Sequence, residues 1–159
     1  FGHQCLVLAA DVKRSDSGEF HVYMHSGVDK IMPIKKWIQQ AEDAGAGELL
    51  INSVEHDGRQ IGYDIELLHL VEDMTNLPVI ALGGAGKVQD VNELFMQTKI
   101  NAAAVGNMLY FFEHSTAKIK ASLVDKRDDI RKSSFINYEK WSFESDGRII
   151  PTDIRSIYE

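Results

Sequence analysis

Leu77-Pro78-Val79-Ile80-Ala81-Leu82-Gly83-Gly84-Ala85-Gly86 decides how this chain is read, with Val88, Val91, Leu94 and Phe95 following at helical spacing. Pro78 opens a short apolar run that fits a buried strand, and glycines close it. The glycines lead into an amphipathic helix, so the stretch is one strand–loop–helix unit. Working outward, the same unit recurs. Residues 4–12 form an apolar run, followed by a turn signal at 15–19 and a hairpin arm at 20–24. Pro33 then opens a helix whose face carries Ile34, Trp37, Ile38 and Ala41, and Gly45 and Gly47 stop it. Residues 48–53 are a second strand, 55–62 a polar glycine-bearing loop, and 64–74 a helix striped by Leu67, Leu68 and Val71. Residues 102–105 are a fourth strand, ended by Gly106 and Asn107, and a last helix covers about 116–125.

Strands alternating with helices predict a parallel sheet with right-handed crossovers. The apolar runs at 4–12 and 48–53 read as buried strands. Four units are too few for a closed eight-unit barrel, which takes roughly 250 residues. The pattern therefore leaves two architectures, half a barrel or an open parallel sheet. Residues 133–159 do not follow the repeat. They contain Trp141, Phe143 and an Asp146-Gly147 turn signal for a small hairpin. The expected division is a β/α domain at 1–132 and a carboxyl-terminal extension at 133–159. That extension either packs on the domain surface or covers an exposed sheet edge.

Composition narrows the function. In 159 residues, 44% apolar and 26% charged is an ordinary globular balance. A net charge of -7 argues against general nucleic-acid or anionic-membrane binding, which needs a basic surface. No apolar run approaches the ~20 residues of a membrane span. No signal peptide is visible, so a cytoplasmic location is expected. Phe1 is not an initiator methionine, so the amino terminus is expected to be processed or to belong to a fragment. The one cysteine, Cys5, permits no intrachain disulfide, and its apolar neighbours suggest a buried strand thiol. The six histidines show no metal pattern, His21 and His25 lying beside turn signals rather than on a helix. No metal or cofactor is expected. No Gly-x-Ser-x-Gly or Walker loop is present.

In parallel α/β folds, ligands bind beyond the carboxyl ends of the strands. Residues there are Asp11, Lys13 and Arg14; Asn52, Ser53, Glu55 and Asp57-Gly58; Gly83-Gly84-Ala85-Gly86; and Gly106-Asn107. Glycines let backbone amides approach an anion, and the loop after the third strand precedes a helix amino terminus. Glycines also make tight turns. Two adjacent glycine loops after the last two strands point to a phosphorylated small-molecule ligand. Asp11 is the acid–base candidate, being a carboxylate at the end of an apolar strand. The alternatives are pairing with Lys13 or Arg14, or capping a turn.

Several strings then agree in order and spacing: residues 9–14 (Ala-Ala-Asp-Val-Lys-Arg), 45–53 (Gly-Ala-Gly-Glu-Leu-Leu-Ile-Asn-Ser), Asp57-Gly58 with Gly62-Tyr63-Asp64, and 77–86. Together they resemble the second half of the cyclase subunit of imidazole glycerol phosphate synthase, or of a paralogue that delivers ammonia in surface-polysaccharide sugar synthesis. The resemblance covers about residues 4–125. It implies an α/β chain of four β-α units forming half of a (β/α)8 TIM-type barrel.

The resemblance also implies a lyase reaction. Ammonia from a glutamine amidotransferase partner joins a phosphoribulosyl-formimino ribonucleotide, which splits into imidazole glycerol phosphate and an aminoimidazole ribonucleotide. Asp11 matches the family's catalytic aspartate. Asp57, Gly58, Gly84, Gly106 and Asn107 match positions that hold a substrate phosphate. Asn52 and Leu82 match substrate-facing positions, and Glu48 a charged residue near the ammonia entrance, with a surface salt bridge as its alternative. Three positions depart from the family: Leu82 replaces a small polar residue, Asn52 a threonine, and Asn107 a serine. The other catalytic aspartate and phosphate loop belong to a first half that this chain lacks. A homo-oligomer is expected, because the family barrel resembles an internal duplication and a second copy would cover the apolar faces of a half-barrel. Three readings stand: a cyclase-type lyase completed by another half, the sugar-amidating relative, and a non-catalytic phosphate-binding half-barrel.

Overall fold

The computed structural model describes residues 2–24, 28–111, 115–138 and 141–143. After a 3-10 turn at His3–Cys5 come β1 (Val7–Arg14), β2 (Phe20–Met24), β3 (Asp29–Pro33), α1 (Ile34–Asp43), β4 (Glu48–Ser53) and α2 (Ile65–Glu72). They are followed by β5 (Val79–Leu82), α3 (Val88–Gln97), β6 (Ala102–Ala103), α4 (Met108–Phe111) and α5 (Ser115–Leu123). One sheet carries them in the order β3-β2-β1-β4-β5-β6. The β1, β4, β5 and β6 strands are parallel, as the β–α repeat requires, and the β2–β3 hairpin joins antiparallel at one edge.

Each helix begins and ends for local reasons. Pro33 precedes the first turn of α1, where its missing N–H costs nothing. Gly45, at φ +79°, lets the amides of Gly45 and Ala46 return to the carbonyls of Glu42 and Ala41, a Schellman stop. Asp64 caps α2 by accepting from the Leu67 amide at 3.1 Å. Asp90, in the first turn of α3, accepts from the amides of Gly86 at 2.8 Å and Lys87 at 3.0 Å.

The core lies between the helices and one face of the sheet. Ala10 and Val12, Leu49 and Ile51, and Val79 and Ala81 are buried with Ile38, Leu67, Val71, Val91 and Leu94. The alternate residues point the other way, as the two-residue strand period dictates. Val7 is 48% exposed, Ala9 is exposed, and Asp11, Leu50, Asn52, Ile80 and Leu82 are half-buried. The expectation of buried strands at 4–12 and 48–53 is thus corrected: continuous apolar sequence meets a sheet whose second face is only partly covered. The strand placed at 4–12 starts at Val7, and Cys5 lies exposed in the preceding turn rather than buried in a strand.

Of the extension, Tyr138 and Trp141 pack with Ile136 and Phe143 on Ala117 and Ala121 of α5. This described part lies on a helix rather than a strand edge. The turn at Asp146-Gly147 is outside the described residues. No helix among the described residues is long and apolar enough to cross a membrane.

Candidate functional site

Three residues on neighbouring strands form a row at the carboxyl end of the sheet. Asp11 on β1 pairs with Asn52 on β4, and Asn52 pairs with Leu82 on β5. Strand spacing places Asp11 roughly 10 Å from Leu82. Within the row, Asn52 Nδ2 donates to Asp11 Oδ1 at 2.9 Å. The anticipated partner Arg14 instead forms an ion pair with Glu66, and its amide donates to Glu55 Oε2 at 3.1 Å. Lys13 lies over the Tyr23 ring, 5.9 Å from its centroid.

Beyond Leu82, the chain turns through Gly83 (φ +94°) and Gly84 (φ +101°). There it borders a cleft of about 260 Å³. Asp57 and Gly58 line it from the loop after β4, Gly84 from the loop after β5, and Gly106 and Asn107 from the loop after β6. All five expected phosphate residues thus line one cleft, and Leu82 lines it too. On its other side, Asp11 lines an apolar hollow of about 680 Å³ with Val22, Tyr23, Met24 and Ile31 of the hairpin. Glu48 sits at the opposite, amino-terminal end of β4, paired with Val7. Four residues separate it from Asn52 on the same strand face, about 13 Å.

The electrostatics of the cleft differ from the sequence expectation at one point. The helix after Gly86 was expected to offer its amino-terminal amides to an anion, but the Asp90 carboxylate accepts from two of them, on Gly86 and Lys87. The Asp57 amide is likewise spent on the Ser53 carbonyl at 2.9 Å, so Asp57 presents an exposed carboxylate, an acceptor for hydroxyl groups.

Residues given no site role from sequence hold the loops together. Gly62 donates from its amide to Gly84 O at 2.9 Å. His56 Nδ1 is 2.8 Å from Gly62 O, and its Nε2 is 3.8 Å from Asp64 Oδ2, an oxygen that accepts from Ser53 Oγ at 3.1 Å. The Tyr63 hydroxyl donates to Ala104 O at 2.9 Å, tying the start of α2 to the end of β6. Burial, and secondly the Asp90 charge, hold its pKa above the ordinary tyrosine range. Gln60, with φ +56°, adopts a left-handed backbone that its residue type does not announce. Gly62-Tyr63-Asp64 was legible as a motif, but these bonds depend on tertiary approach. No group of three His, Cys, Asp or Glu able to hold a metal occurs among the described residues. His25 lies outside them.

Comparison with known proteins gives this geometry a family. Residues 1–115 match the model of the family described as "Histidine biosynthesis protein". The chain is 40% identical over 133 residues to the imidazole glycerol phosphate synthase subunit HisF of Clostridium beijerinckii, covering 82% of this chain and 53% of that protein. It is 39% identical over 134 residues to HisF of Prochlorococcus marinus strain MIT 9301, covering 82% and 52%. Against HisF of Lactococcus lactis subsp. cremoris strain MG1363 it is 36% identical over 129 residues, covering 80% and 50%. The chain spans about half the length of these curated relatives. The extent of these matches is decisive: the chain belongs to the histidine biosynthesis protein family and is similar to the cyclase subunit HisF.

Proposed function

We propose that this chain is the carboxyl-terminal half of a cyclase-type (β/α)8 barrel, and that it binds a phosphorylated substrate and uses ammonia. The supporting observation is the convergence of three separate loops on one cleft, one row of paired residues away from Asp11. Gly58, Gly84, Gly106 and Asn107 hold a terminal phosphate there, and the Asp57 carboxylate accepts from neighbouring substrate hydroxyls. Asn52 takes Oδ1 of Asp11, which leaves Oδ2 to move the proton during cyclisation and cleavage. Glu48, at the far end of β4, marks where ammonia from a glutaminase partner enters.

The proposed barrel is completed by β/α units outside residues 1–159. Among the described residues β2 pairs with β1 only at Asp11–Arg14, so Val7–Ala10 have a described strand neighbour only on the β4 side. Among the described residues β6 pairs only with β5. Both edges suit addition of further strands. Residues 1–132 form the half-barrel unit, and the described part of the extension packs on its α5 side.

The test is turnover of the phosphoribulosyl-formimino ribonucleotide with added ammonia across a protein concentration series, with molar mass followed by light scattering. Turnover that appears with an even oligomer and vanishes in Asp11→Asn at unchanged mass supports the reading. Turnover retained by Asp11→Asn removes Asp11 from it. The apolar Leu82, lining the cleft where the family carries a small polar residue, favours a second reading, ammonia transfer to a sugar. Turnover that requires a sugar-nucleotide acceptor selects it. Binding without either turnover leaves the phosphate-binding half-barrel.

A further inference from the structure

We infer that His56 is a positioning residue that clamps the loop carrying Asp57 and Gly58 onto the glycine turn after β5, and so keeps the anion cleft formed. This rests on the phosphate-cleft reading above.

Gly62 O can only accept, so His56 Nδ1, 2.8 Å away, carries the proton and donates. That fixes the tautomer: in the neutral ring Nε2 is bare, so at 3.8 Å it makes no hydrogen bond with the acceptor Asp64 Oδ2. Asp64 is itself held, by Ser53 Oγ and by its cap on α2. The His56 side chain is 26% exposed, so its bond to Gly62 O is largely shielded from competing water. Gly62 in turn donates to Gly84 O at 2.9 Å. The approach is close: a Cβ on Gly84 would stand 2.0 Å from Gly62 O and 3.0 Å from His56 Cβ. Two hydrogen bonds in series therefore run from His56 through Gly62 to Gly84, and they close the loop whose tip lines the cleft. His56 touches no expected ligand atom; it acts through the loop. A loop that is open part of the time binds with an affinity reduced by its closed fraction.

The experiment titrates sulfate, which keeps one charge state near neutral pH, into the whole chain and follows the amide NMR signals of Gly58, Gly84 and Gly106. His56→Ala removes the donor to Gly62 O. His56→Asn keeps an amide donor near the Nδ1 position and loses the approach to Asp64. The expected result is about five- to tenfold weaker sulfate binding in His56→Ala, with affinity restored to within about twofold in His56→Asn. Hydrogen exchange of the Gly62 amide, read without any anion, rises by a similar factor in His56→Ala only. Wild-type sulfate affinity in His56→Ala, with unchanged exchange at Gly62, overturns the inference. So does an Asn variant as impaired as the Ala variant. Absence of sulfate-induced shifts in the wild type counts against the phosphate cleft itself, while the exchange measurement still decides whether His56 clamps the loop.

Discussion

Asn52 donates a 2.9 Å hydrogen bond to Asp11 from the position directly opposite it on the neighbouring parallel strand. Asn52 Oδ1, by contrast, is buried without a partner, and a Cβ on Gly83 would stand 2.8 Å from it. The amide is therefore wedged between the candidate catalytic carboxylate and the glycine turn that borders the cleft. A threonine at this position would reach less far towards Asp11.

Asn52→Ala removes both the donor to Asp11 and the orphaned oxygen. The two effects oppose one another, so stability should change by no more than about 1 kcal/mol, measured by urea unfolding. Turnover by the assembled protein should nevertheless fall about tenfold, ~1.4 kcal/mol of barrier, as Asp11 loses its fixed orientation. Equal turnover in the variant would show that Asn52 only fills space.

The glycines around the cleft should respond unequally to alanine. Gly84→Ala combines φ +101° with a Cβ 2.0 Å from Gly62 O, and should cost about 3 kcal/mol or more. Gly58→Ala meets nothing within 4 Å but has φ +72°, and should cost about 1 kcal/mol. Gly106→Ala has open space and no positive φ, and should stay within about 0.5 kcal/mol of wild type. Thermal or urea unfolding ranks the three, and a costly Gly106→Ala would contradict the loop geometry.

The strand–helix order and the residues of the cleft were legible because strand ends fall at chain positions marked by glycine and polar residues. The buried face of α1 likewise follows from the spacing of Ile34, Ile38 and Ala41. What sequence did not announce depends on approach between distant segments. Asp90 turns back on Gly86 and Lys87, His56 meets Gly62, and Tyr63 reaches Ala104, 41 residues away. The half-covered face was missed for a similar reason. Val7 and Ala9 read as core residues by composition, yet nothing in the described chain covers them fully.

Tyr63 gives the fold an alkaline signature. Its folded-state pKa is raised, so above the unfolded value of about 10 the unfolded chain releases a proton that the folded chain retains. The Tyr63 contribution is complete below that value and is lost as pH rises through the folded pKa. The slope approaches about 1.4 kcal/mol per pH unit between the two values. Tyr63→Phe should lower stability at pH 8 by about 1 kcal/mol, because Ala104 O loses its donor, and should flatten the decline between pH 10 and 11.5. Urea unfolding of both proteins at pH 8, 10 and 11.5 gives the comparison.

The extension is expected to be energetically coupled to α5. Trp141 is 8% exposed and packs with Tyr138 on Ala117 and Ala121. Trp141→Ala should destabilise by about 3 kcal/mol if this contact unfolds with the domain. A separate early transition with an unchanged main one would instead show the extension to be an independent unit.

The most direct test of the central claim is a titration of inorganic phosphate into the chain, followed at every assigned backbone amide. Saturable shifts at Gly58, Gly84, Gly106 and Asn107, with one shared dissociation constant and no comparable shifts at the amino-terminal ends of β1 and β4, are the predicted result. Saturable shifts confined to another part of the surface, or none at these four amides, would contradict the assignment of the cleft as the phosphate site.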